Sequence, residues 1–271
     1  SDLNDESIKN AVTDKTLGLA MGAAWIFEPK TVELFKGPLL DFMGIPLPQY
    51  RGGAHYTWQI LAGNKTGACN LQIIHGGEHT FHKGEIIKRQ DYLFPASARK
   101  PKDYFSAAIK EELAFLNKFF DEIFESKQFS TKTLDESFSS YYPFLNTLKH
   151  GWIDWSWNIS ELDRFISAFD DPYSGASTYL GESRVFLKGC QEEPSEPEFH
   201  PFHAGLIYRC SPSGVVIAAR GGALLVRQIL DKEGVDITNK MIEGQRFTTP
   251  RLELESAMKF DATYGAEGLK E

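Results

Sequence analysis

The sequence predicts an α/β fold for its first half and a small domain of short strands for its second. Leu17–Phe27 (LGLAMGAAWIF) is a continuous apolar run with small residues, which fits a strand buried on both faces of a parallel sheet. Helix and strand signals then alternate as far as Phe124. After Pro172 short strand signals punctuated by Gly and Pro appear at 177–180, 184–188, 205–210, 214–220 and 222–228, the pattern of a small barrel or sandwich.

The elements follow in order. Pro29 suits the first turn of a helix and Gly37 its stop, so 29–36 is a short helix. Residues 44–53, GIPLPQYRGG, form a loop, because two prolines and a glycine pair oppose helix and strand alike. Ala54–Ala62 is helical and Gly63-Asn64 ends it. Ala68–Ile74 (ACNLQII) is a strand, His75–Gly84 a loop rich in Gly and His, and Glu85–Phe94 a strand with rough alternation. Asp103 can cap a helix through Phe124, with Phe105, Ile109, Leu116, Phe120 and Ile123 as one apolar stripe. Ser160 and Asp163 start a helix that carries Leu162, Phe165, Ile166 and Phe169. Residues 191–198 (QEEPSEPE) are an exposed acidic loop, and a last helix runs from Thr249-Pro250 to about Ala262. The expected domains are an α/β core over 1–125, a polar linker over 126–150 and a strand domain over 151–271.

Composition narrows the function. With 271 residues, 42% hydrophobic and 13% aromatic, the chain has ample material for a core. A net charge of −8 argues against a main role in neutralising nucleic-acid phosphates. Cys69, Cys190 and Cys210 lie far apart with no CxxC spacing, as reduced thiols do. The longest apolar run, around Leu19–Phe27, falls short of the ~20 residues that span a bilayer, and the acidic start SDLNDESIKN is unlike a signal peptide. The expectation is a cytoplasmic protein with no membrane partner.

Several stretches share one resemblance. LPQYRGGAHYTWQILAGNKTGACNLQII, then GWIDWSW with ISELDRFISAFDDPYSGASTYLG, then GQRFTTPRLELESA with YGAEGLK, resemble the folate-dependent formyltransferases over about residues 17–271. The resemblance implies a Rossmann-like core, apparently truncated at its N-terminus, followed by a small OB-like β-barrel domain. It implies transfer of a formyl group from 10-formyltetrahydrofolate to an amine, in one-carbon metabolism and biosynthesis. The amine belongs to a small or sugar-nucleotide substrate in one branch and to a charged tRNA in the other. The net charge favours the small substrate. It further implies folate contacts at Gly22, Trp25, Leu47 and Pro48, and substrate contacts at Arg51 and Gly52. A complete member has further strands before 17–27, so that edge is expected to want a cover, a homodimer mate or another partner.

Two departures bear on catalysis. The family's loop is preceded by Asn-x-His-x-Ser, and the corresponding places hold Asp41, Met43 and Ile45. A thioether has no titratable proton, so Met43 cannot replace a histidine base. The family's essential aspartate falls within HGGEHTFHKGEI, which is longer here. Alignment from KGEI gives His82, while alignment from the strand gives Glu78 or His79. His55, one helical turn from the loop, is a candidate displaced base or a helix-start histidine. A catalytically degenerate binding or partner protein, or an enzyme of altered chemistry, is therefore the alternative reading.

Other features have plainer readings beside sharper ones. His75-Gly-Gly-Glu78-His79 spells H-x-x-E-H, but that motif needs a helix, which Gly76-Gly77 oppose; no metal is expected. Arg51 suits an anion or a structural carboxylate. Trp152, Trp155 and Trp157 around Asp154 suit packing between domains more than stacking on a ligand. His200 and His203 read as rim histidines, and a barrel alone is no warrant for nucleic-acid binding.

Overall fold

A computed structural model describes residues 6–22, 26–77, 83–259, 263–265 and 268–270. Its first half holds α1 (Glu6–Ala11), β1 (Gly18–Met21), α2 (Pro29–Val32), β2 (Leu39–Met43), β3 (Arg51–Gly52), α3 (His55–Leu61), β4 (Thr66–Ile73), β5 (Ile86–Leu93) and α4 (Pro101–Phe124). Four of these strands make one sheet in the order β1-β2-β4-β5. β1 and β2 are parallel, whereas β2 with β4 and β4 with β5 are antiparallel. The sheet is therefore mixed, and the expected parallel arrangement is limited to one pair among the described residues.

The apolar run at 17–27 departs from its expectation. Among the described residues Gly18–Met21 form a four-residue strand at the edge of the sheet rather than a strand covered on both faces, and Met21 is 58% exposed. Gly22, at φ 65°, turns the chain out of the extended conformation. β2 was not foreseen at all. LLDFM is five residues between Pro38 and Gly44, too short to display a period. Arg51–Gly52, read as loop, pairs in parallel with β6 (Tyr141–Tyr142).

α4 covers one face of the sheet. Phe115, Leu116 and Phe119 pack on Leu40, Phe42, Cys69 and Leu71. The helix is rotated from the expected stripe: Tyr104, Ala108, Phe115 and Phe119 point inward, while Phe105, Ile109 and Phe120 are exposed. Leu116 is buried as expected. Two apolar series one residue apart compete on this helix, and the sheet selects the one in phase with it. Asp103 lies at the third helical position, where it accepts from the Arg99 and Lys100 amides at 2.9 and 3.2 Å; Lys100 occupies the cap. Phe115→Ala is expected to cost about 3–5 kcal/mol. Phe105→Ala should stay within about 0.5 kcal/mol. Urea denaturation of the two variants checks the helix phase, and equal losses would reverse the assignment.

The segment after α4 passes β6 and α5 (Thr147–His150) and reaches α6 (Ile159–Ala168). α6 starts at Asn158, whose side chain accepts from the Glu161 amide while Glu161 accepts from the Asn158 amide. This corrects the start expected at Ser160 and Asp163, and frees Asp163 for another role. β7 (Ala176–Leu180), β8 (Ser183–Glu192), β9 (Ile207–Ser211), β10 (Gly214–Ala219), β11 (Gly222–Leu230) and β12 (Phe247–Thr248) form one antiparallel sheet. Its order is β12-β7-β8-β11-β10-β9, curled as a half-barrel. α7 (Arg251–Lys259) follows, then β13 (Thr263–Gly265) and β14 (Gly268–Lys270). One buried cluster joins Ile60, Phe94, Tyr104 and Ala108 to Ile153, Leu162, Phe165 and Ile166, so both halves contribute to a common core. Trp152 and Trp155 are buried within it or beside it: Trp152 stacks on Tyr179 and Trp155 on Phe247. Among the described residues no helix is long and apolar enough to cross a membrane.

Candidate functional site

Side chains alternate across a strand, so the residues opposite α4 share the other face of the sheet. On β2 these are Asp41 and Met43; on β4 they are Gln72 and Asn70, directly opposite Asp41 and Met43 respectively. The loop after β2 is tied to this face. Asn70 Nδ2 donates to the carbonyls of Met43 (3.1 Å) and Ile45 (2.6 Å). The Arg89 guanidinium donates to the Leu47 carbonyl. Ile45 and Leu47 are fully buried with Ile86, and Met43 and Leu134 pack on them. Gln72 Nε2 holds the far loop through the Gly84 carbonyl at 2.7 Å.

Two acceptors on this face lack donors. Asp41 Oδ1 and Asn70 Oδ1 are buried with no hydrogen-bond partner among the described residues. Burial pushes the Asp41 carboxyl up to about 7 from the ordinary 3.8. It thus exchanges a proton near neutrality, and as the neutral acid it also donates one hydrogen bond. From sequence alone Asp41 is a titratable group at the family's motif position, and its burial is not visible there. Asn70, Gln72 and Arg89 were not singled out. The signal was present in ACNLQII, where Asn70 and Gln72 alternate with apolar residues.

The remaining candidates fall in different places. Arg51 is buried and committed: one nitrogen donates to Glu136 Oε2 at 2.5 Å and Ser139 Oγ at 2.6 Å, the other to Glu136 Oε1 at 2.9 Å. Gly52, at φ 102°, lies against the linker, and a Cβ there would collide with the Tyr142 carbonyl. Tyr50 stacks on Tyr142 and Trp58 Nε1 donates to the Pro143 carbonyl at 2.9 Å. The segment 134–143, expected as a polar linker, is thus the clasp of the loop. Pro48 accepts from the Ser140 amide at 3.4 Å.

His55 opens α3 with its ring edge-on to Tyr56, and burial lowers it to about 4, so it is neutral at pH 7. Gly22 is exposed, with none of the described residues packed against it. Trp25, Glu78, His79 and His82 lie outside the described residues. The stems of their loop meet at His75 Nε2 and Glu85 Oε2, 2.6 Å apart. Asp154 accepts from the Ser156 amide at 2.9 Å, and His200 Nδ1 accepts from the Phe202 amide at 3.2 Å, both local turns. Among the described residues no His, Cys, Asp or Glu group is arranged to hold a metal.

Residues 147–244, spanning α5, α6 and the curled sheet to the turn before β12, match the formyl transferase C-terminal domain. The match covers the strand half of the chain and supports a formyltransferase-like C-terminal domain there. A methionyl-tRNA formyltransferase of Ruminiclostridium cellulolyticum is 24% identical over 198 residues, which are 70% of this chain and 58% of that relative. The chain therefore spans less than two thirds of that relative's length. The N-formyltransferase of Helicobacter canadensis, solved with folinic acid and dTDP-3-aminofucose, superposes with a TM-score of 0.56 at 17% identity, covering 81% of this chain and 77% of the other. HypX from Aquifex aeolicus, solved with tetrahydrofolic acid, gives 0.55 at 16% identity over 91% and 40%. At these identities the two structures speak for the fold.

Proposed function

We propose that this chain is a formyltransferase-family protein and transfers a formyl group from 10-formyltetrahydrofolate to the amine of a small or sugar-nucleotide substrate. The α/β half is read as a Rossmann-like core and the curled sheet as its OB-like companion. The observation that carries the reading is Asp41, a buried carboxyl titrating near 7 with an oxygen unpaired among the described residues, beside a loop anchored by Asn70 and Arg89. The unpaired oxygens of Asp41 and Asn70 ask for N–H donors, which an amine or the amino edge of a pterin offers. The folate would supply the formyl group. Asp41 takes the proton that the attacking amine gives up, and as the neutral acid it returns that proton to the departing nitrogen. Met43 contributes no proton transfer, only apolar packing under the loop.

A net charge of −8 supports a small amine over a charged tRNA. Met43 in the histidine's place and the committed Arg51 favour a second reading, a protein that binds folate or a sugar nucleotide without turnover.

Calorimetric titration with a stable 10-formyltetrahydrofolate analogue, alongside amino-sugar nucleotides and a formyl-transfer assay, tests the proposal. Saturable folate binding with turnover is the expected outcome. Folate binding without turnover supports the second reading, and no binding of either ligand overturns both.

A further inference from the structure

A second site candidate lies at the opposite end of α3 from the loop. A cavity of about 220 Å³ opens between the α3–β4 turn, the segment before α4, and α6. Lys65, Arg99 and Arg164 all line it. Asp163 is the carboxylate that lines it among the described residues, and both its oxygens are taken by Arg99 at 2.6 and 2.7 Å. The nearby Asp103 is engaged by the backbone amides of Arg99 and Lys100.

Arg164 has no ion pair or hydrogen bond among the described residues. Its stem runs beside Gly63, whose Cβ position lies 3.9 Å from Arg164 Cδ. Lys65 donates to the Ala98 carbonyl and sits 4.8 Å from the centre of the Tyr104 ring. Burial, and then the charge of Arg99, lower the Lys65 ammonium, while Asp103 acts against them. Ser167 is 6% exposed, lines the cavity, and its hydroxyl has no partner among the described residues. Arg164 and Ser167 stand three apart on α6 and so share a face.

We propose that this cavity binds a phosphoryl group, with Arg164, Lys65 and Ser167 as its donors. A guanidinium, exposed at Arg164, an ammonium and a hydroxyl lining one cavity match the several acceptor oxygens of a phosphate. The volume is below the ~300 Å³ where drug-sized pockets begin, which suits a free phosphate or the terminal phosphate of an ester. The donors come from both halves of the chain, so a bound phosphate braces α6 against the α3–β4 turn. The site is separate from Asp41 and does not depend on the formyl-transfer reading.

The test is titration of the full chain with inorganic phosphate at constant ionic strength, followed by calorimetry and thermal unfolding. Parallel arms use a sugar phosphate and a nucleoside diphosphate. Saturable binding with a raised Tm is expected, weakened roughly tenfold or more in Arg164→Gln. Ser167→Ala should weaken it less, and Lys259→Gln, outside the cavity, should leave it unchanged. Binding of an ester alone supports the site and identifies the source of the phosphate. Absence of saturation in every arm, or equal affinity in Arg164→Gln and the native chain, overturns the proposal.

Discussion

Asp41→Asn is expected to abolish most formyl transfer while making the protein more stable at neutral and alkaline pH. The two effects share one cause. Burial holds the Asp41 carboxyl near 7, above the ordinary 3.8, so the fold favours the protonated form. The contribution of this group is fully favourable below about 3.8 and is lost as pH rises to about 7. Above that the ionised carboxylate costs up to about 4 kcal/mol. Asparagine has the shape of the neutral acid and never ionises. The stability gap between variant and native chain should therefore widen from pH 4 to pH 7 and stay level above, as read by urea denaturation at several pH values. Activity should fall by roughly 10²–10⁴, the usual contribution of a proton-transferring group. In the native chain the rate should climb with pH through about 7. A pH-independent stability gap would remove the buried-acid account, and undiminished turnover in the variant would remove Asp41 from the reaction.

Glu136→Ala carries the second large effect. The Arg51 side chain is 4% exposed and Glu136 48%. Arg51 Nε already lacks a partner among the described residues. Without Glu136 a buried guanidinium keeps Ser139 alone. Losing one partner of a buried pair costs ~3–5 kcal/mol, and the half-exposed position of Glu136 lets water recover part of it. A loss of about 2–4 kcal/mol is expected. Adding Arg51→Met, which removes the stranded charge, should return part of that stability. A double-mutant cycle by thermal unfolding checks this. A loss under about 0.5 kcal/mol in Glu136→Ala would mean that the pair is not structural.

These expectations show how far local pattern reached. The helix over 54–62, the strands at 68–74 and 85–94, and the five strands after Pro172 were legible because each spans enough residues to show a period or a boundary. The loop at 44–50 was legible from its prolines, and its likeness to one family pointed to Asp41 and Met43. β2 was not legible, since LLDFM is too short to show a period. The inward face of α4 was not legible either, because Tyr104-Phe105, Ala108-Ile109 and Phe119-Phe120 offer two stripes of similar character.

Sequence alone settled which chemical groups this chain can bring to a site: a carboxyl at 41, a thioether at 43, a rigid loop between them and Arg51. Tertiary structure decided what those groups can do. Arg51 meets Glu136 across 85 residues of chain, so its side chain holds the loop. Asn70 reaches the Met43 and Ile45 carbonyls because β2 and β4 lie in register. Asp41 titrates near 7 because its neighbours exclude water, and burial is a property of the assembled sheet and loop that no single segment carries.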